Sequence, residues 1–321
     1  MEEEIEVTLD TLGFYLQKLL SFDHLCEEAV LYLEGLYQSI KRDEEIAKKF
    51  CLLTLHNQKF YDFFSRNHET DAEFEILQTC MIWNSCLAIL IQSPNVMIRA
   101  AIVEKSRIFA TLLINDPDVN VRMRCASTWE KCAQQLVYDE NYLVRSCCAG
   151  KSEEVALKLL DDCNLYVRKA CTIWESCAAL LLKDPEKHVR FWALVRWPKF
   201  AEHFIYDEDA QIREKCATLN ESCAKILIHD TSAIVRSVAI KYAQDRDLAL
   251  TRKDDPSEIV RRTLVQIYKD IADNYKDDQD STVRMAVLQA KPEYADYYKD
   301  DGNEHVRKLA SSFLTSQQDR Y

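Results

Sequence analysis

Glycine and proline are nearly missing from this chain, four and six among 321 residues. β-Sandwiches, barrels and Gly-rich nucleotide-binding folds all need turn glycines in number, so their scarcity excludes those architectures. No C-x-x-C occurs, which removes the close thiolate pairs that zinc and iron–sulfur sites use. The seven histidines (His24, His56, His68, His188, His203, His229, His305) form no H-x-H or H-x-x-x-H pair. There is no Walker loop, no nucleophile elbow and no carboxylate pair standing apart from the repeated acids described below, so catalysis has no visible seat. Apolar runs such as Cys86 to Ile91 fall far short of the roughly 20 residues that span a bilayer. The amino terminus, Met1-Glu2-Glu3-Glu4-Ile5-Glu6, has neither a basic segment nor an apolar one. The expectation is a cytoplasmic chain without a secretory leader, whose thirteen cysteines are mostly reduced thiols acting as small buried hydrophobes.

What remains is a composition suited to helices: 48% hydrophobic residues, enough for a folded core, with Ala, Leu, Lys and Glu abundant. Internal repetition dominates the sequence. A β-branched residue followed by Arg recurs at Arg99, Arg122, Arg145, Arg168, Arg190, Arg213, Arg236, Arg261, Arg284 and Arg307, spaced by 23 residues except for one 22 and one 25. Six residues before nine of these stands an Asp: Asp116, Asp139, Asp162, Asp184, Asp207, Asp230, Asp255, Asp278 and Asp301, with Ser93 in the first unit. Twelve residues before the Arg lies an Ala in every unit but the first, which has Leu87. Each unit reads as two short helices. The first opens at a polar cap such as Asp118, Asn141 or Asn164, and the second carries the Ala column. Helices this short do not stand alone in water, and stacking them buries one continuous core. The fold predicted is an all-α solenoid of about ten 23-residue repeats over residues 77–321.

The pattern D-x-[D/N]-x-x-V-R-x-x-[C/A] resembles the leucine-rich repeat variant family and its relatives among bacterial HEAT-like repeats, over about residues 77–315. That resemblance implies an α-helix alternating with a shorter, often 3₁₀, helix in a right-handed superhelix. The family's founding form also resembles an iron–sulfur protein with a cysteine cluster ahead of its repeats. This chain departs there, having only Cys26 and Cys51 ahead of them, so neither cluster nor cofactor is carried over.

A second period overlies the first. Cys86, Cys132, Cys177 and Cys223 share a column in alternate units, preceded three residues earlier by Trp83, Trp129, Trp174 and Asn220. Trp197 lies in an intervening turn. These tryptophans either plug the junction between short helices or line an edge as anchors for a partner. Residues 1–76 do not follow the repeat and show three helical patterns at about 8–21, 23–40 and 42–66, rich in aromatics. They hold 17 acidic and 7 basic residues, whereas residues 77–321 hold 36 and 34. The acidity therefore belongs to an N-terminal helical cap, where Glu27, Glu28 and Glu34 are candidate contacts for a basic partner.

The Asp and Arg columns, among them Asp116, Asp139, Asp162, Asp184 and Asp207 with Arg122, Arg145, Arg168, Arg190 and Arg213, read as a structural ladder. A phosphate-binding stripe would not carry matched carboxylates. Function is expected to be protein binding by a non-enzymatic scaffold or inhibitor. By analogy of fold and size, it would serve as an immunity or counter-defence factor of bacterial or phage origin that neutralises its partner. The alternatives from other classes are a nucleic-acid-binding or base-excising HEAT-like protein and an iron–sulfur or metal-binding repeat protein. Near-neutral repeats behind an acidic cap make a poor footprint for nucleic acid.

Overall fold

The computed structural model describes residues 7–22, 27–55, 57, 59–60 and 76–318. Among them there is no strand. Packing divides the chain into two compact units, Met1–Cys177 and Ala178–Tyr321. The division falls within a repeat helix, Glu175–Leu180, and the cap belongs with the repeats that follow it.

In the first unit the cap helices are Leu12–Leu19, Glu27–Arg42 and Glu44–Thr54. The third begins where Asp43 accepts from the N–H groups of Glu45 and Ile46, at 2.8 and 3.2 Å, with Glu44 and Glu45 in its first turn. It ends at Thr54 rather than near residue 66; residues 59–60 are helical again, and the last part of the predicted pattern, 61–66, lies outside the described residues. Its buried face packs on the helix Asn84–Leu90 of the first repeat.

The repeats have the two-helix form that the sequence period predicts, and the fold is an α-solenoid. In the first unit, Val96–Lys105, Val119–Thr128, Tyr142–Lys151 and Leu165–Cys171 pack side by side, each followed by a shorter helix. The second unit continues with Lys187–Arg196, Ala210–Leu219, Ala233–Tyr242, Glu258–Ile267, Ser281–Ala290 and Glu304–Gln318. Pro198–Phe204, Lys269–Tyr275 and Pro292–Tyr294 are 3₁₀ helices in the second-helix position. One extended residue often joins the two helices of a repeat: Trp129, at φ −124° and ψ 122°, is both the end of one helix and the start of the next.

The columns do what their chemistry requires. Val121, Val144, Cys125, Cys148, Ala133 and Ala156 have no exposed surface, so each first helix sets a branched and a small side chain into the stack and each second helix an alanine. Asp118, Asn141, Asn164, Asp209, Ser257 and Asp280 each accept from the N–H two residues on, closing the free end of the first helix. The 25-residue repeat absorbs its two extra residues after Ala233–Tyr242, where Gln244 takes a left-handed φ of 51°.

Candidate partner-binding surface

The ladder arginines all adopt one posture. All ten donate from Nη1 to the carbonyl six residues back, at 2.7–3.0 Å, which fixes the side chain along its own turn. In eight repeats Nε and Nη2 then grip both oxygens of the next repeat's Asp, as in Arg122–Asp139 at 2.8 and 3.2 Å and Arg213–Asp230 at 2.7 and 2.9 Å. Arg99–Asp116, Arg145–Asp162, Arg190–Asp207, Arg261–Asp278 and Arg284–Asp301 repeat this across 17 residues, and Arg236–Asp255 across 19. Each Asp also accepts the N–H two residues on, so Asp184 takes that of Glu186 at 2.8 Å. Arg168 donates to the carbonyl of Asp162 at 2.8 Å. The carboxylates are almost wholly covered, and these bidentate pairs occupy the edge that a phosphate-binding stripe would need.

The tryptophans are half-buried and their indole N–H groups are used inside the fold. Trp129 donates to the carbonyl of Val103 at 2.7 Å, Trp174 to that of Ala149 at 2.8 Å, and Trp83 to that of Ile40 at 3.2 Å. Each acceptor lies two residues before the end of a helix in the preceding layer, among the carbonyls that have no partner within their own helix. The cap helix Glu27–Arg42 thus stands where a preceding repeat's first helix would stand. Trp197 packs against the second unit's core, with the Lys199 ammonium 6.0 Å from its ring centre. In the last repeats tyrosines tie the layers at a different place, Tyr275 and Tyr298 donating to the turn carbonyls of Lys253 and Lys276 in the preceding repeat at 2.8 and 2.7 Å.

Ten of the twelve described cysteines are buried; Cys147 is half-buried and Cys163 exposed. Burial pushes the thiols of Cys125, Cys148, Cys171 and Cys216 up to about 12, which keeps them protonated and inert. Cys51 of the cap meets Cys80 and Cys86 of the first repeat, a contact between distant segments that spacing does not reveal. No group of three or more His, Cys, Asp or Glu among the described residues is arranged to hold a metal ion. Of the acidic candidates, Glu34 is exposed on Glu27–Arg42, and the side chains of Glu27 and Glu28 lie outside the described residues.

Sequence reasoning missed one column. The residue just before each ladder Asp is Asn115, Tyr138, Asp161, Lys183, Tyr206, His229, Asp254, Asp277 or Asp300, and every one is exposed. Its type varies freely because its neighbour does the pairing. Tyr138 and Tyr206 are 80% and 88% exposed, the most open large hydrophobic side chains among the described residues. Beside Tyr206, a shallow groove of about 660 Å³ is lined by Ile205, Arg213, Ile226, His229 and Thr231. In the first unit, the rings of Tyr142 and Tyr166 lie 6.0 Å apart and tilted by 33°, and Ile108 and Leu112 stand 74% and 63% exposed.

No family model and no curated protein matches the chain. Among solved structures, a leucine-rich repeat variant described as having a novel repetitive structural motif superposes with a TM-score of 0.53 at 21% identity, over 62% of this chain and 88% of that one. That similarity establishes the repeat fold. A designed armadillo repeat protein aligns over 95% of this chain and 98% of its own at 15% identity, with a TM-score of 0.16 that carries no argument.

Proposed function

We propose that this chain is a non-enzymatic protein-binding scaffold that acts by occupying its partner, as an inhibitor does. The observation that carries the reading is the exposed turn column. The ladder fixes the backbone of every turn, and the residue beside the ladder Asp is left free to vary in the open. Within each unit, a surface built this way presents its side chains from a fixed backbone, which lowers the ordering cost of binding. Tyr138 and Tyr206 are the aromatic anchors such an interface uses, and Asp254, Asp277 and Asp300 supply acid farther along. Together with Glu34 and its neighbours in the cap, those carboxylates favour a basic partner and a salt-sensitive association. The interlayer tryptophans are assigned to packing, since their polar edges are already committed.

The test is affinity capture by the immobilised full chain from a lysate divided into nuclease-treated and untreated halves, paired with a gel-shift titration at low salt. Retention of the same basic protein from both halves, with no shift of duplex or single-stranded DNA, is expected. Capture that disappears with nuclease, or a clear gel shift, would favour the nucleic-acid reading instead.

A further inference from the structure

From Phe204 onward, the residue three before each ladder Asp is Phe204, Leu227, Arg252, Tyr275 or Tyr298, and Leu227 is the shortest side chain of the five. Tyr275 and Tyr298 are 5% and 1% exposed. Each hydroxyl donates to the carbonyl 22 residues back, at 2.8 Å to Lys253 and 2.7 Å to Lys276, so each ring spans from a second helix to the turn of the preceding repeat. Leu227 stands in the same register, 22 residues after Ile205. It has no hydroxyl to offer, and no donor among the described residues reaches the Ile205 carbonyl. This is where the groove of about 660 Å³ opens, with Ile205, Tyr206, Ile226, Leu227, His229 and Thr231 in its lining. Tyr206 and Ile226 present open apolar walls, in the place where Tyr298 packs edge-on against Tyr297 farther along. The Arg213 guanidinium at the groove is spent on Asp230 and on the carbonyl of Asp207, so an anion finds no free charge there.

We infer that this groove is the subsite for a tyrosine side chain of the partner protein, its ring laid on Leu227 and Ile226 and its hydroxyl donating to the Ile205 carbonyl. Tyr275 and Tyr298 specify the occupant, since they place that group at that position of the same repeat in the same chain. A neutral phenol matches both the apolar walls and the acceptor, whereas a phenylalanine matches the walls alone. Covering the ring while pairing its hydroxyl is how interfaces use tyrosine as an anchor. The inference rests on the turn column being the partner surface, because Tyr206 borders the groove. Leu227 is buried and lies outside that column, so the two can be tested apart.

The probe is N-acetyl-tyrosinamide, titrated into the full-length protein carrying isotope-labelled isoleucine and leucine methyl groups, with N-acetyl-phenylalaninamide as its control. The methyl resonances of Ile226 and Leu227 should move with a dissociation constant on the order of 1 mM. The phenylalanine probe should bind about fivefold more weakly, for want of one hydrogen bond. Leu227→Tyr supplies the ring from within, as Tyr275 and Tyr298 do. It should abolish probe binding, keep the thermal midpoint at or above that of the parent, and weaken the captured partner about tenfold or more. If replacing Tyr138 and Tyr206 weakens the partner while Leu227→Tyr leaves it untouched, the turn column stands and this inference falls. It is overturned equally by Ile226 and Leu227 methyl groups that do not respond, by equal binding of the two probes, or by a Leu227→Tyr protein that loses stability or binds the probe as the parent does.

Discussion

Arg213 donates from Nη1 to the carbonyl of Asp207 in its own repeat and from Nε and Nη2 to Asp230 in the next. One side chain therefore fixes a turn and joins two layers. Truncating it strands the Asp230 carboxylate, whose side chain is only 5% exposed. Breaking such a covered pair from one side costs about 3 kcal/mol. Arg213→Ala should lose that much in a urea titration, and a loss under about 1 kcal/mol would return the ladder to the class of surface ion pairs. The same carboxylates set the response to acid. The Arg284 guanidinium and the N–H of Asn303 hold Asp301 below the usual carboxylate range. Burial works against ionisation of Asp162 and Asp255, yet Arg145, Arg236 and backbone N–H groups still hold both low. Unfolded aspartates titrate near ~3.9, so this stabilisation is fully present above that pH and disappears as pH falls through the lower folded values. The thermal midpoint should stay level from about pH 7 to 5 and drop below about pH 4, with Asp301→Asn flattening part of the drop. An unchanged midpoint at about pH 3 would contradict this.

At the level of the helix pair, the short first helix ends where its last carbonyls lack partners, and a tryptophan from the next layer supplies one of them. Trp129→Phe keeps most of the ring and removes only the donor to Val103. It should cost about 1 kcal/mol, with little change in the denaturant slope. A neutral substitution would mean that the indole serves by its bulk alone. The helix pairs were legible in the sequence because four columns stayed in phase: Asp for the turn, the cap residue, Val-Arg for the interlayer pair, and Ala for the close approach. Tryptophan's role was not legible, since its acceptor is a backbone carbonyl whose position depends on how layers stack. The break after the third cap helix was also not visible, because the sequence pattern runs through Thr54 and Leu55 without a glycine or proline to mark it. The meeting of Cys51 with Cys80 and Cys86 arises from cap packing on the first repeat, which no spacing encodes.

Over the whole chain, a repetitive interior and a variable exterior are parts of one arrangement. Because the ladder Asp and Arg are nearly constant, the residue beside the Asp can be Asn, Tyr, Lys, His or Asp without disturbing the stack. That column escaped sequence reasoning for the same reason: regularity drew attention to what was fixed, and the surface proposed for binding lies in what was not. Acidic composition pointed toward a basic partner, and the second unit carries exposed acids of its own in Asp254, Asp277 and Asp300. The most direct measurement is the affinity of the captured protein for the full chain and for a Tyr138→Ser, Tyr206→Ser double variant, with circular dichroism confirming that both are folded. Loss of two exposed anchors should weaken binding by at least about tenfold without lowering stability. An affinity within about twofold of the parent would contradict the turn column as the binding surface.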